Sequence, residues 1–180
     1  MRKIVYYVAT SIDGFISGPN GDISTFVGEG SGLTKYQADL KEYDTVIMGK
    51  NTYEFGYQFG LKPGQRAYQH MTHYIFSNQL MLENPDPKVH VYPVELEKIL
   101  EIKNGSGTDI YLCGGGEFAG WLLDNDLVDV LKVKLNPIVL GEGTRLFGHS
   151  QKRLKLELLD SEQFENGLQI ITYSIIKPGK

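Results

Sequence analysis

Three consecutive glycines, Gly114, Gly115 and Gly116, follow an apolar run and precede an amphipathic stretch. The run "TDIYLC" (108–113) is typical of a buried strand, and "EFAGWLLDNDL" (117–127) has the spacing of a helix. Backbone amides at a helix N-terminus lack intrahelical partners and favour anions. Because glycine has no Cβ, a diphosphate can approach this main chain within hydrogen-bond distance. The pattern favours a phosphate site; the alternative is a tight strand–helix connection in which glycine serves packing only.

A second strand end, "VIMGKNTYE", has related chemistry. Gly49 closes the strand, and Lys50 places a cation beside the first amides of the following helix. Asn51 and Glu54 have the spacing of a capping pair, although Thr52 is an equally good cap. The motif predicts a second phosphate contact, and an ordinary capped helix with a solvated lysine explains it equally well.

Two further segments offer polar groups near strand ends. Ser77 and Asn78 end the strand "THYIFSN" with small hydrogen-bonding side chains. The glycine-punctuated stretch "TSIDGFISGPNGDI" (10–23) carries Asp13 and Gly14 in a turn motif. A loop of this length in a compact domain is usually a lid or a binding loop, and the alternative is an idle surface loop.

The other reactive residue types do not form a catalytic set. His70 and His73 lack a nearby Cys, Asp or Glu that would complete a metal site, so no metal is expected. There is no G-x-S-x-G elbow. Cys113 is the only cysteine, which excludes an internal disulfide and fits a reducing, cytoplasmic compartment. These observations disfavour hydrolases and metalloenzymes.

The composition is that of an ordinary globular protein. The chain has 180 residues and a net charge of −4, with no basic cluster that would bind nucleic acid. No apolar run approaches the roughly 20 residues that a membrane span needs. One domain covering 1–180 is therefore expected.

The elements that must position these residues alternate between strand and helix in the first two-thirds of the chain. Strands are predicted at 3–10, 44–49, 72–78, 89–93 and 108–113, and helices at 33–43, 51–60, 94–105 and 117–127. This alternation is typical of a mainly parallel sheet with helices on both faces. Ligands bind at the carboxyl ends of such strands, where the glycine motifs lie.

After residue 127 the pattern changes to strands in succession, at 128–140, 154–164 and 168–176. Lys132 and Lys134 alternate with apolar residues, which predicts a strand with one face in solvent. The fold class is therefore α/β with an antiparallel C-terminal edge.

Five segments in this order resemble the dihydrofolate reductase-like family, and among its branches the C-terminal reductase domain of the bifunctional riboflavin-biosynthesis deaminase–reductase. They are "VATSIDGFISG", "VIMGKNTYE", "YIFSN", "IYLCGGGEFAGWLL" and "LKVKLNPIVLGEGTRLF". The resemblance implies a mixed sheet of about eight strands with NADPH lying across its carboxyl edge.

The resemblance also implies roles for individual residues. Ala9 and Ile16 would flank the nicotinamide, and Ser77 and Asn78 would lie beside the adenosine. The phosphates would be bound by Gly49, Lys50 and Thr52, with Lys50 near the 2′-phosphate. The pyrophosphate and nicotinamide would pack against Gly114, Gly115 and Gly116, two of which would be joined by a cis peptide bond. Asp13 and Tyr36 would contact the substrate. No catalytic residue is assigned.

Two differences between this sequence and the family's motifs limit the activities that the resemblance implies. The acid and the Pro-Trp pair of the folate-reducing members have no clear counterpart here; Glu29 and Asp39 are the nearest acids. Tyr7 and Phe15 stand where riboflavin-pathway reductases carry basic residues. The expected activity is NADPH-dependent reduction of a small pyrimidine- or pteridine-like heterocycle, similar to 5-amino-6-(5-phosphoribosylamino)uracil reductase, in a homodimer. The alternative is a nucleotide-binding protein of this fold without turnover.

Overall fold

The computed structural model describes residues 1–177, so the last three residues of the predicted domain lie outside the described part. The strands are β1 (Ile4–Thr10), β2 (Phe15–Ser17), β3 (Thr45–Gly49), β4 (Thr72–Phe76), β5 (Val89–Tyr92), β6 (Ile110–Gly114), β7 (Val130–Leu135), β8 (Thr144–Arg145), β9 (Lys155–Gln163) and β10 (Gln169–Ile176). The α-helices are α1 (Ser31–Leu40), α2 (Lys50–Phe55), α3 (Leu96–Asn104) and α4 (Gly116–Asp124).

Eight strands form one mixed sheet in the order β5-β4-β3-β6-β1-β7-β10-β9. Neighbours from β5 to β7 run parallel, whereas β10 is antiparallel to both β7 and β9. The predicted mixed sheet with an antiparallel C-terminal edge is therefore confirmed. The central strand β1 pairs with β6 on one side and β7 on the other.

Helices cover both faces of the sheet, as the alternating pattern predicts. On one face, Ile99 of α3 and Leu122 of α4 pack into a buried apolar cluster with Tyr6. On the other face, Leu40 of α1 and Tyr53 of α2 pack with a second cluster. Successive strand residues point to opposite faces, so each inner strand needs apolar residues at nearly every position. This requirement explains the continuous apolar runs in the sequence.

The segment at 10–23, predicted as a lid or binding loop, contains a strand of a small second sheet. Its strand β2 pairs with β8, and Phe15 lies opposite Arg145. The Asp13 carboxylate accepts hydrogen bonds from the backbone amides of Leu140 and Gly141, at 3.1 and 2.7 Å. The segment is thereby attached to residues 140–145.

The predicted cap of the second helix is wrong. Helix α2 begins at Lys50. Its N-cap residue is Gly49, whose backbone is extended, and no side chain caps the first amides of the helix. The strand runs directly into the helix, so Asn51 lies inside the first turn. The helix is six residues long and continues as a 3-10 turn at 56–59.

Candidate functional site

A cavity of about 880 Å³ runs across the carboxyl ends of five neighbouring strands. In sheet order, β4 contributes Phe76, β3 Gly49, β6 Cys113, β1 Ala9 and β7 Lys134. Neighbouring strands lie about 4.8 Å apart, so the first and last of these five are separated by about 19 Å. The cavity is long enough for an extended ligand with two chemically distinct ends.

The two glycine-bearing strand ends lie side by side on the wall of this cavity. A Cβ built on Gly49 would lie 3.9 Å from the backbone nitrogen of Gly115 and 3.2 Å from the Cβ of Phe118. A Cβ built on Gly115 would lie 2.9 Å from the Thr52 hydroxyl. Neither α2 nor α4 has a side-chain cap on its first amides. Bare main chain and uncapped helix starts therefore meet at one place.

The structural reason for the absence of a side chain differs among the three consecutive glycines. Gly114 has a φ of +128°, which favours glycine, and the Gly114–Gly115 peptide is cis, as the resemblance implies. A Cβ on Gly116 would lie 2.2 Å from the carbonyl oxygen of Arg145, so its missing side chain accommodates the chain's own backbone. The packing explanation thus applies to Gly116. Gly115 itself lines the cavity, and the nearest obstacle to a Cβ there is the side chain of Thr52, which also lines it.

Most of the residues predicted to bind the cofactor line the cavity. They are Ala9, Ile16, Gly49, Lys50, Thr52, Gly115 and Gly116. Gly114, Ser77 and Asn78 do not line it. The Ser77 hydroxyl accepts hydrogen bonds from two backbone amides that follow it, and the Asn78 side-chain oxygen accepts one from the amide of Val94 at 3.1 Å. These two side chains shape the turn that places Phe76 and Val94 on the cavity wall.

The two residues predicted to contact substrate are placed differently. Tyr36 lines the cavity, and its hydroxyl lies 2.7 Å from that of Tyr111. Asp13 does not line it. Its carboxylate accepts a hydrogen bond from the Ser11 hydroxyl at 2.6 Å, and this bond, with two backbone amides, lowers its pKa to about 2. Asp13 therefore remains ionised and attaches the β2 segment to residues 140–141.

The prediction that one face of β7 is exposed to solvent is wrong, because α1 covers that face. Lys132 donates to the Asp39 carboxylate at 2.7 Å, and the Tyr7 hydroxyl donates to the same carboxylate at 3.0 Å. Lys35 forms a further ion pair with it. Burial opposes ionisation of Asp39, but the bonds from Lys132 and Lys35 outweigh burial and lower its pKa. Asp39 is thus an ion-pair anchor for α1 and does not line the cavity.

Lys134 lies on the same covered face and lines the cavity. Its ammonium lies 3.5 Å from the centroid of the Tyr36 ring, within cation–π distance. Burial lowers its pKa to about 8. Within residues 1–177, no carboxylate lies within 4.0 Å of it. This placement could not be predicted from the sequence, because lysines alternate with apolar residues in the same way whether or not a helix covers that face of the strand.

The cysteine and histidines do not form a reactive centre. Burial raises the pKa of the Cys113 thiol, whose sulfur lies 3.6 Å from the Tyr68 hydroxyl. The buried His73 ring accepts hydrogen bonds from the amides of Ala67 and Tyr68, and burial lowers its pKa to about 4. No group of three metal-binding side chains occurs in the described part of the chain. Among residues 1–177, no helix has both the length and the hydrophobicity of a transmembrane span.

The sequence matches a family model along nearly its whole length. The model for the RibD C-terminal domain matches residues 2–170. Two proteins of Bacillus subtilis (strain 168) are similar: uncharacterized protein YyaP, 27% identical over 96% of this chain and 94% of its own length, and uncharacterized protein YwjB, 30% identical over 94% and 96%.

Solved structures share the fold. A Shewanella sp. PV-4 protein assigned to riboflavin biosynthesis is 26% identical, with a TM-score of 0.78 over 98% of this chain and all of its own. A Thermotoga maritima diaminohydroxyphosphoribosylaminopyrimidine deaminase/5-amino-6-(5-phosphoribosylamino)uracil reductase is 15% identical, with a TM-score of 0.69 over 97% of this chain and 57% of its own. An Enterococcus faecalis dihydrofolate reductase complexed with NADP(H) is 17% identical, with a TM-score of 0.66 over 97% of each chain.

Proposed function

Since the chain belongs to the RibD C-terminal domain family, we propose that it is an NADPH-dependent reductase of a small pyrimidine- or pteridine-like heterocycle. The activity resembles that of 5-amino-6-(5-phosphoribosylamino)uracil reductase. One observation carries the proposal: the bare strand ends at Gly49 and Gly115 meet at uncapped helix starts within one cavity.

The residues of the cavity fit a dinucleotide. The free amides at the start of α4 suit a pyrophosphate, since helix N-termini favour anions. Lys50 and Thr52 add a cation and a hydroxyl beside them, and Lys50 suits the 2′-phosphate that separates NADPH from NADH. Ala9 and Ile16 offer apolar contacts for the nicotinamide. NADPH would supply the hydride, while these residues bind it, orient it and exclude water.

The substrate would occupy the other end of the cavity, beside α1. Four tyrosines line this end, at positions 7, 36, 68 and 111. Aromatic side chains of this kind stack on flat heterocycles. In this proposal Tyr36 contacts the substrate, whereas Asp13 acts indirectly by fixing the β2 segment that carries Ile16.

A nucleotide-binding protein without turnover is the second candidate. The observation that favours it is the scarcity of acids in the cavity: among residues 1–177, Glu117 is the only carboxylate that lines it. Asp39, one of the two acids nearest to the family's position, is held by two lysines. This candidate keeps cofactor binding but predicts no oxidation of NADPH with any pterin or pyrimidine.

Thermal unfolding with NADPH, NADH and ATP tests the proposal. A ligand at about a hundred times its dissociation constant adds about 2.7 kcal/mol of stability. For a protein of this size, that corresponds to a rise in Tm of about 5–10 °C. We expect the largest rise with NADPH, and Lys50→Gln to reduce it to the NADH value. Lys88→Gln, at an exposed lysine outside the cavity and outside the C-terminal strands, is the matched control.

The outcomes separate the candidates. Equal shifts for the three ligands in the wild type would contradict an NADPH site. NADPH oxidation, followed by absorbance across a panel of pterins and pyrimidines, distinguishes a reductase from a silent binder.

We propose that the protein forms a homodimer and that it is located in the cytoplasm. Strand β9 is one of the two edge strands of the sheet, and eight of its nine residues are exposed. Leu156, Leu158 and Leu159 are among them, and an exposed apolar edge strand favours pairing with another chain. The lone Cys113 is consistent with a reducing compartment.

A further inference from the structure

Lys134 is one of two cations that line the cavity within residues 1–177, and it lies far from the other. Lys50 follows β3, whereas Lys134 is on β7, three strands away in the sheet. At about 4.8 Å per strand, that separation is about 14 Å. Lys134 lies opposite Ala9 in the pairing of β7 with β1, so it belongs to the end of the cavity beside α1.

The surroundings of Lys134 differ from those of its neighbour Lys132. Both side chains point toward α1, but Lys132 is neutralised by Asp39 at 2.7 Å. Lys134 meets the face of the Tyr36 ring instead, and within the described residues no acid neutralises it. A buried cation without a counter-ion in the protein favours binding of an anionic ligand. Because folding has already removed water from the Lys134 ammonium, the binding of an anion would not have to overcome the desolvation free energy of that ammonium again.

The walls near this cation are flat and aromatic. The hydroxyls of Tyr36 and Tyr111 are bonded to each other at 2.7 Å, and Tyr68 packs edge-on against Tyr111 with their ring centroids 5.6 Å apart. These contacts fix the rings, so they form a preorganised surface for a planar group.

We propose that Lys134 determines substrate specificity by binding a negatively charged substituent, a carboxylate or an ionised ring amide, on a planar heterocycle that lies against these tyrosines. The inference rests on the proposed function in taking this end of the cavity as the substrate end.

Titration of Lys134 gives the proposal a measurable signature. Burial lowers its pKa to about 8, and a bound anion raises it again. The other titratable groups that face it are Tyr7, Tyr36, Tyr68, Tyr111, Cys113 and Lys132. Burial raises the pKa of each of these tyrosines and of the thiol, and Lys132 is paired with Asp39. Burial thus lowers the pKa of Lys134 to about 8, whereas it raises the pKa of these tyrosines and of the thiol.

Calorimetric titration of the cofactor-free protein with orotate and with uracil tests the proposal. The two share a pyrimidine ring, and orotate adds a carboxylate that is ionised at neutral pH. We expect orotate to bind about ten- to a hundredfold more tightly than uracil to the wild type, the usual range for a hydrogen bond to a charged group. Lys134→Gln should bring the ratio to about one, Lys134→Arg should keep a preference, and Lys88→Gln, at an exposed lysine outside the cavity, should match the wild type.

The pH dependence of orotate affinity is a second measurement, and a packing defect at Lys134 would not reproduce it. Above pH 8, orotate affinity should fall by about tenfold per pH unit while uracil affinity stays constant, because binding then requires uptake of a proton. Lys134→Gln should remove this slope. Circular dichroism and the Tm of each variant show whether it is folded.

The result that overturns the inference is a preference for orotate that survives in Lys134→Gln, or orotate binding that is independent of pH up to about pH 9, or no detectable binding of either pyrimidine. NADPH binding is measured separately on the same preparations. A protein that prefers orotate through Lys134 but does not bind NADPH would refute the proposed function and support this inference. A protein that binds NADPH without preferring orotate would do the reverse.

Discussion

Gly115 and Gly116 are adjacent in the sequence, but different neighbours exclude their side chains. The Arg145 carbonyl blocks a Cβ at Gly116, which is a demand of folding. At Gly115 the nearest atom is the Thr52 hydroxyl, which can rotate away, and the space beyond it is the cavity. A substitution at Gly115 therefore tests ligand binding with little effect on the fold.

We expect Gly115→Val to weaken NADPH binding by at least about a hundredfold, because its methyl groups would occupy the space before the first amides of α4. The cost in unfolding free energy should be about 1 kcal/mol, typical of a substitution that creates no cavity and breaks no buried bond. Fluorescence titration with NADPH and urea denaturation measure the two effects.

Gly28→Val is the matched control for this change, because Gly28 has open space around its Cβ position. It should leave NADPH affinity unchanged. Wild-type affinity in Gly115→Val would refute the placement of the pyrophosphate at this strand end.

Residue types in the sequence predicted part of this site. The glycines and Lys50 were recognisable because they sit where a strand gives way to a helix. Lys134 was not, because its role depends on the Tyr36 ring, which reaches it from another element. Asp39 was noted as an acid, but its pairing with Lys132 depends on a contact between residues 93 positions apart.

The elements of the fold followed from local patterns wherever the pattern was long. Strand β1 and helix α4 were predicted to within a residue or two at their starts, because each has a clear apolar period. The short strands β2 and β8, of three and two residues, were not predicted. Their pairing comes from tertiary contacts such as that of Asp13 with Gly141, which no local pattern records.

Strand β9 allows a prediction about assembly. We expect Leu158→Lys to shift the proposed homodimer to a monomer, since charge on an edge strand opposes edge-to-edge pairing. Leu158 is 58% exposed in the single chain, so the substitution should change the free energy of unfolding of the monomer by less than about 0.5 kcal/mol. Sedimentation velocity measures the oligomeric state.

Met81→Lys is the control for this experiment, because it places a lysine at another exposed apolar position, outside the C-terminal strands. It should leave the oligomeric state unchanged. A wild-type protein that sediments as a monomer at all concentrations would contradict the homodimer.

At the scale of the whole molecule, the cavity depends on the strand order. The motifs around Gly49 and Gly115 are far apart in the sequence, yet β3 and β6 are neighbours in the sheet. The family resemblance implied this arrangement, whereas periodicity alone showed only that a mixed sheet was present. Local patterns do not determine which strands become neighbours.

Hydrogen exchange can map the predicted ligand across the molecule. NADPH should slow amide exchange at 49–52 and 115–118, because both strand ends would contact its phosphates. The C-terminal strands β9 and β10 should show no change and provide the internal control. Protection confined to one of the two strand ends would contradict a dinucleotide that spans both.

The position of β1 has a consequence during protein synthesis. Val5 pairs with Tyr111 on one side and Val130 on the other, so both partners of the first strand are translated more than a hundred residues after it. Forming such distant contacts is entropically costly and slows folding. A nascent chain therefore exposes this apolar strand to the cell until β6 and β7 have left the ribosome, and during that interval it is a natural client for chaperones.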